Sequence, residues 1–239
     1  MRRDGRFEAR LQHEWAEQLW PLLRSAPADY AGFAAEPLQG GRGGTVTVRV
    51  AGERFVVRAG RRGGLPGRLV TSMYWGRHPR VFEELDATLT LRNSGAPIVD
   101  ACAAGVEWLA PWVYRSWLVT RWVANSSTLW EWLQQPHPDA ERRAVLHRVG
   151  VAVHALHQAG ARHPDLNLNN ILVQHDAEEM RVWLLDLDGV RRAWRVVEGR
   201  GDLARLRRSA RKLDPSAAIL SDADLQMIDE GYADHPSQR

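Results

Sequence analysis

Apolar residues recur along this chain with two different periods, and their order predicts which segments are helical and which are strands. Phe7, Leu11, Trp15, Leu19 and Leu22 fall at near-helical spacing. They predict an amphipathic helix over residues 7–24, within an N-terminal helical extension over about residues 1–29. Thr45–Val50 and Arg54–Arg58 alternate apolar and polar positions on either side of Ala51-Gly52-Glu53, which is the pattern of a β-hairpin. Gly40-Gly41-Arg42-Gly43-Gly44 leads into that hairpin. A helix is expected over residues 79–92, stopped by Asn93-Ser94-Gly95-Ala96-Pro97. Trp117–Val123 reads as a strand running to a hinge near Ala124-Asn125-Ser126, and Thr128 heads a short helix. Residues 139–159 predict a longer helix with Val145, Val149, Val153 and Leu156 on one face. Ile171–Val173 and Val182–Leu185 then read as two short buried strands around the polar turn His175–Glu179.

That last hairpin matters because of what flanks it. Before it stands His163-Pro164-Asp165-Leu166-Asn167-Leu168-Asn169-Asn170, an H-x-D-x-x-x-x-N spacing, and after it comes Asp186. Phosphoryl transfer from a nucleotide needs one carboxylate to accept a hydroxyl proton, and an amide and a second carboxylate to hold Mg²⁺. Asp165 is placed to be the base, on a tight loop entered from a helix, and Asn170 projects from the far end of the same loop. The hairpin returns Asp186 to the loop's mouth. Mg²⁺ prefers oxygen ligands and keeps several waters, so Asn170, Asp186 and nucleotide phosphates would complete its shell. Each residue alone is an ordinary turn former or strand cap; the ordered set reads as a kinase.

The expected fold is therefore α+β: a protein-kinase-like bilobal domain with a small β-rich N-lobe over about residues 30–123 and a mainly helical C-lobe over about residues 124–239. In such a small lobe, a helix glutamate pairs with a cation on the third strand, and that cation contacts the α- and β-phosphates of ATP. Lysine is excluded here, because the only one, Lys212, lies after Asp186. Arg58 closes the strand in the right place, and Glu84 is its expected partner. The glycines, with Gly41 and Gly43 as candidates, either drape backbone N–H groups over phosphates or form a linker. His154 and His157 are three residues apart but lack a carboxylate at ligand spacing. They read as surface or packing histidines rather than a metal site.

Composition narrows the setting. A hydrophobic content of 44% excludes a disordered chain, and no run approaches the roughly 18 apolar residues of a membrane span. The start, Met1-Arg2-Arg3-Asp4-Gly5, is not a signal-peptide core, so an intracellular protein is expected. A lone Cys102 rules out an internal disulfide framework. Net charge is only +3, carried almost wholly by arginine, and there are 11 Trp residues. Guanidinium forks suit phosphates and tryptophan suits membrane interfaces. Arg61, Arg62 and Arg68, near Trp75 and Arg77, are the expected docking residues for an anionic membrane. No motif for nucleic-acid binding accompanies the arginines.

Asp165–Leu172, Leu184-Leu185-Asp186-Leu187-Asp188, and Arg58 followed by Arg61-Arg62-Gly63-Gly64-Leu65 together resemble the 3-deoxy-D-manno-octulosonic acid (Kdo) kinases of lipopolysaccharide assembly. The resemblance runs from about Gly40 to about Lys212 and includes Gly95-Ala96-Pro97-Ile98 and Asp202–Ser209. It implies an ATP- and Mg²⁺-dependent enzyme that phosphorylates the 4-hydroxyl of Kdo on a Kdo-lipid A acceptor, docked peripherally on the cytoplasmic face of the inner membrane. Asn169, Ala59-Gly60 and Leu187 depart from the family pattern, which usually has His, His-Tyr and Phe at those places. Two other readings stay open: a small-molecule kinase of the aminoglycoside or choline kinase type, and a pseudokinase scaffold. Oligomeric state is not legible.

Overall fold

The computed structural model describes residues 1–25, 33, 36–37, 45–60, 73–176, 179–190 and 200–234. The chain divides into two compact units, Met1–Leu89 with Asp100–Trp122, and Thr90–Val99 with Val123–Arg239. No helix among the described residues is long and apolar enough to cross a membrane.

The first unit is built on an antiparallel sheet. In chain order its strands are β1 (Arg2–Asp4), β2 (Phe7–Leu11), β3 (Glu36–Pro37), β4 (Thr45–Val50), β5 (Glu53–Ala59), β6 (Tyr74–Trp75), β7 (Ala101–Ala110) and β8 (Val113–Arg121). Their spatial order is β1-β2-β7-β8-β5-β4-β3, with β6 also pairing with β8. Between β4 and β5, Val50 pairs with Glu53 across a two-residue loop, in which Ala51 (φ 52°) and Gly52 (φ 84°) are both left-handed. Positive φ at both loop positions matches the right-handed twist of the strands and fixes the hairpin's register.

Two helices cover this sheet, α1 (Ala16–Arg24) and α2 (Arg80–Asn93), the last turn of α2 belonging to the second unit. Leu19, Leu22 and Leu23 of α1 pack with Val48, Phe55, Val57, Cys102, Ala103 and Trp117. Val81, Phe82 and Leu85 of α2 pack with Ala101, Ala104, Val106, Tyr114 and Leu118. Strand β7 is consequently buried on both faces, which explains its run of small residues, Ala101-Cys102-Ala103-Ala104-Gly105. A Cβ on Gly105 would lie 2.8 Å from Leu23 Cδ2, so a larger residue there would require the Leu23 side chain to shift.

The helical extension expected over residues 1–29 is corrected by this arrangement. Among the described residues of this stretch only Ala16–Arg24 is α-helical, while Phe7–Leu11 is a strand pairing with both β1 and β7. A short apolar run satisfies either period. Ala9, fully buried between two strands, shows that sheet pairing decides here.

The second unit is mainly helical. It contains α3 (Leu129–Leu133), α4 (Asp139–Gln158), α5 (Arg200–Leu213) and α6 (Asp222–Ala233), with a small sheet of β9 (Ser126–Thr128), β10 (Ile171–His175) and β11 (Met180–Leu184) in the order β11-β10-β9. Thr128 and Glu131 form a reciprocal capping box at the start of α3, satisfying helix N–H groups that would otherwise be unpaired. Helices α4 and α6 cross at two glycines: a Cβ on Gly150 would lie 2.0 Å from the Ile228 carbonyl oxygen, and one on Gly231 2.0 Å from that of His147. This contact brings Tyr232 onto α4. The core joins Val145, Val149, Val153 and Leu156 to Leu166, Leu168, Ile171, Leu184 and Leu187.

Candidate active site

The hydrophobic core holds the loop between α4 and β10 by its alternate residues. Leu166 and Leu168 are fully buried with Asn167 buried between them, whereas Asp165 and Asn169 on either side are exposed. The loop ends in a tight turn over Leu168–Asn170 that leads directly into β10.

Within this loop, polar groups orient one another. The Asp165 amide donates to His163 Nδ1 (3.2 Å), and Asn167 Nδ2 donates to the Asp165 carbonyl (2.9 Å) and to its Oδ2 (3.1 Å). Asn167 Oδ1 accepts from the Asn169 amide at 2.9 Å, so its side chain is held at both ends. Asn170 Nδ2 donates to the Asp165 carbonyl at 2.9 Å. Because a carbonyl accepts and cannot donate, this contact fixes the amide's orientation and leaves Oδ1, the atom a hard cation uses, as its other polar atom.

The hairpin register completes the cluster. Ile171 pairs with Leu184, and the Leu185 amide donates to the Asn170 carbonyl at 2.9 Å. Asp186 follows immediately, exposed and at φ 59°, a left-handed conformation that Asp tolerates better than most residues. The turn that follows, closed by the Val190 amide on the Leu187 carbonyl at 2.9 Å, buries Leu187 in the core. Asp165, Asn170 and Asp186 thus stand at one end of one hairpin. Asn170 and Asp186 supply hard oxygen donors of the type Mg²⁺ takes.

A buried network holds the loop from behind. His163 Nε2 donates to the Leu185 carbonyl at 2.7 Å while its Nδ1 accepts from Asp165, which requires the neutral imidazole with its proton on Nε2. Burial lowers the His163 pKa, outweighing the Leu185 carbonyl and the nearby carboxylates, and keeps it in that form. Asp202 Oδ2 accepts from the His163 amide (2.7 Å) and from His157 Nε2 (2.9 Å), and Tyr232 Oη lies 2.9 Å from His157 Nδ1. Burial pushes the Asp202 carboxyl upward. The hydrogen bonds from His157 and the His163 amide together outweigh this and hold it below the ordinary value. Arg205 Nη1 donates to the carbonyls of His163 and Pro164, both at 2.7 Å.

The sequence assigned no role to Asn167, Asp202 or Arg205, and read His157 as a surface or packing residue. His157 is fully buried, and the carboxylate missing at local spacing arrives from α5, 45 residues on. The only sequence signal for Asn167 was its position two residues after Asp165, the spacing of a local side-chain turn.

The first unit contains the remaining described candidates. Arg58, on β5, donates through Nη2 to Glu84 Oε1 on α2. Glu84 is 5% exposed and Arg58 30%, so the carboxylate is buried and the guanidinium reaches toward solvent. Glu83 is exposed. Gly41 and Gly43, like Arg61-Arg62-Gly63-Gly64-Leu65 and Arg68, lie outside the described residues.

Residues 34–232 match the model of the lipopolysaccharide kinase (Kdo/WaaP) family. The chain is 32% identical over 202 residues to a 3-deoxy-D-manno-octulosonic acid kinase of Vibrio vulnificus, with 80% of each sequence covered. It is 32% identical over 196 residues to the enzyme of the same name from Actinobacillus succinogenes, with 78% of each covered. Among solved structures, WaaP in complex with acyl carrier protein is similar with a TM-score of 0.62 at 20% identity, covering 96% of this chain and 90% of that one. This likeness gives the protein-kinase-like α+β fold. With the family model spanning most of its length, the chain belongs to the lipopolysaccharide kinase (Kdo/WaaP) family.

Proposed function

We propose that this protein transfers the γ-phosphoryl group of ATP to the 4-hydroxyl of Kdo on a Kdo-lipid A acceptor, acting peripherally at the cytoplasmic face of the inner membrane. The observation that carries this reading is the locked loop, where Asp165 is presented beside Asn170 and Asp186 with its carboxylate oriented by Asn167. The kinship with named Kdo kinases supports the acceptor.

Asp165 accepts the proton of the attacking hydroxyl as that oxygen bonds to the γ-phosphorus. The bond from phosphorus to the β–γ bridging oxygen breaks, and ADP leaves with its electron pair. Asn170 Oδ1 and the Asp186 carboxylate would hold Mg²⁺, which when bound neutralises phosphate charge. Arg58, steadied by Glu84, binds nucleotide phosphate through its guanidinium fork, and Gly41 and Gly43 are the candidates for further phosphate contacts.

The test is to incubate pure protein with labelled ATP, Mg²⁺ and separate acceptors: Kdo-lipid A, lipid A, an aminoglycoside and a protein substrate. Label on Kdo-lipid A alone is expected, at a position that mass spectrometry of the released sugar assigns to the 4-oxygen. Label on the aminoglycoside, or on none of the acceptors, refutes the assignment.

A further inference from the structure

Few large apolar side chains among the described residues are exposed, and three of them meet at one place: Trp75 (66% exposed), Trp112 (54%) and Leu109 (39%). Strand pairing gathers them. Trp75 pairs with Val113 and Ala110 also pairs with Val113, so β6 and the turn between β7 and β8 form one end of the sheet. The Gly76 amide donates to the Trp112 carbonyl at 2.9 Å, tying β6 to the tip of the turn.

The alternation of strands sorts this end into two faces. Tyr74, Tyr114 and Trp108 pair in one row and pack inward, with Tyr74 stacked on Tyr114 at 5.5 Å and Trp108 5.3 Å from Tyr114. Trp75 belongs to the next row and faces away. Inward tyrosines occupy this part of the core, and Trp75, Leu109 and Trp112 are left exposed beside them.

Charge indicates what meets them. Arg77, exposed, holds its guanidinium 5.6 Å from the centre of the Trp112 ring, and exposed Arg80 follows, its amide donating to Tyr114 Oη at 3.3 Å. Residues 73–82 and 108–116 contain no acidic side chain. The nearby Glu107 is buried and paired with Arg6 at 3.1 Å. Glu8 is engaged by Trp108 Nε1 at 3.1 Å, and exposed Glu83 stands three residues beyond Arg80; the indole rings beside guanidinium groups match the boundary between anionic headgroups and acyl chains.

We propose that this end of the sheet, Trp75, Leu109 and Trp112 with Arg77 and Arg80, is the surface by which the protein docks on an anionic lipid bilayer. The proposal deepens the membrane-borne acceptor proposed above. Its test uses neither nucleotide nor acceptor, so either reading can fail while the other stands.

Co-sedimentation of the full chain with vesicles of phosphatidylcholine containing a minority of phosphatidylglycerol, at low salt, provides the measurement. Wild-type protein is expected to bind, and to bind pure phosphatidylcholine vesicles much more weakly. Trp75→Ala with Trp112→Ala should lower the partition coefficient by about tenfold or more, since both indoles lose their burial at the interface. Arg77→Gln and Arg80→Gln should each lower it by about fivefold. All four side chains are exposed, so melting temperature should not change; Leu109→Gln provides an independent variant of the same surface. Wild-type protein that ignores anionic vesicles at low salt overturns the proposal, as do tryptophan and leucine variants that bind like wild type. Sedimentation velocity on the same proteins tests the competing occupant: a dimer abolished by Trp75→Ala and Trp112→Ala, with vesicle binding unchanged, would assign this face to self-association.

Discussion

The loop around Asp165 and the Arg58–Glu84 pair illustrate two ways of placing a charged group. The loop carries its carboxylate into solvent on a backbone held from behind by His163, Asp202 and Arg205, each bonded to main-chain atoms. Arg58 is instead a long side chain on a strand, paired with the buried carboxylate of Glu84. Buried hydrogen bonds to backbone leave a loop few alternative conformations. An ion pair steers a side chain that still spans several rotatable bonds. The loop should therefore be the more rigid element, and substitutions in its support should reach function through position.

This contrast is sharpest at the chemical groups themselves. Asp165→Ala should reduce kcat by about a thousandfold, within the range a positioned general base supplies, while leaving nucleotide affinity near wild type. Steady-state kinetics together with calorimetric nucleotide titration separates the two; near-normal turnover would remove Asp165 from its role. Asp186→Ala should weaken Mg²⁺-dependent nucleotide binding by at least about a hundredfold, since loss of even an outer-shell partner costs 10–100-fold in metal affinity. Titration of nucleotide with and without Mg²⁺ provides the readout, and equal affinities in mutant and wild type would place the metal elsewhere.

Next comes the support of the loop. Asp202→Ala leaves the His163 amide and His157 Nε2 without their shared acceptor, and each buried donor left unsatisfied costs about 1–3 kcal/mol. Urea unfolding should show a loss of this order. The milder Asp202→Asn keeps one acceptor oxygen and should lower kcat more than it raises KM. A loss under about 1 kcal/mol for the alanine variant would mean that the loop is not held from α5.

On the other side of the comparison, Arg58→Lys should lower kcat/KM by about tenfold, the loss of one charge-assisted hydrogen bond, with little effect on stability because the site is half open. A silent Arg58→Ala would show that another cation meets the phosphates, and Glu84 would then be a packing residue.

The smallest effect is a pH dependence. The folded-state pKa of His163 is lowered, so its contribution to stability is complete above the unfolded value near 6.5 and is lost as pH falls from there to the folded value. Over that window the unfolded chain binds the extra proton, and stability should drop by up to about 1.4 kcal/mol per pH unit from this group. Asp202 acts likewise lower down, its contribution declining below about 3.8. His163→Gln should flatten the upper part of a stability profile measured by denaturant unfolding between pH 7 and pH 5. An unchanged slope would show that His163 is not the group being protonated.

Much of the site was legible because its chemistry is local in the chain. Asp165 and Asn170 share one loop, and two strands of five residues return Asp186 beside them, so spacing and strand length alone set their company. Arg58 and Glu84 were legible for a different reason: the chain's lone lysine lies after Asp186, which left few cations that the strand could present to the helix glutamate. Hairpin β4–β5, helix α4 and the capped start of α3 were likewise readable from patterns that close within a few residues.

The remainder depended on partners far away in sequence. Phe7–Leu11 is a strand because β7, about a hundred residues later, pairs with it; no local period distinguishes that outcome from a helix. His157 was read as a surface or packing residue because its acid, Asp202, arrives only when α5 and the loop around Asp165 pack together. The same holds for Gly150 and Gly231, whose value lies in a contact between two helices. Local spacing encodes short-range geometry because few backbone conformations connect neighbouring residues. Which distant groups meet is decided by burial summed over the whole core, where a buried donor must find an acceptor wherever the fold provides one.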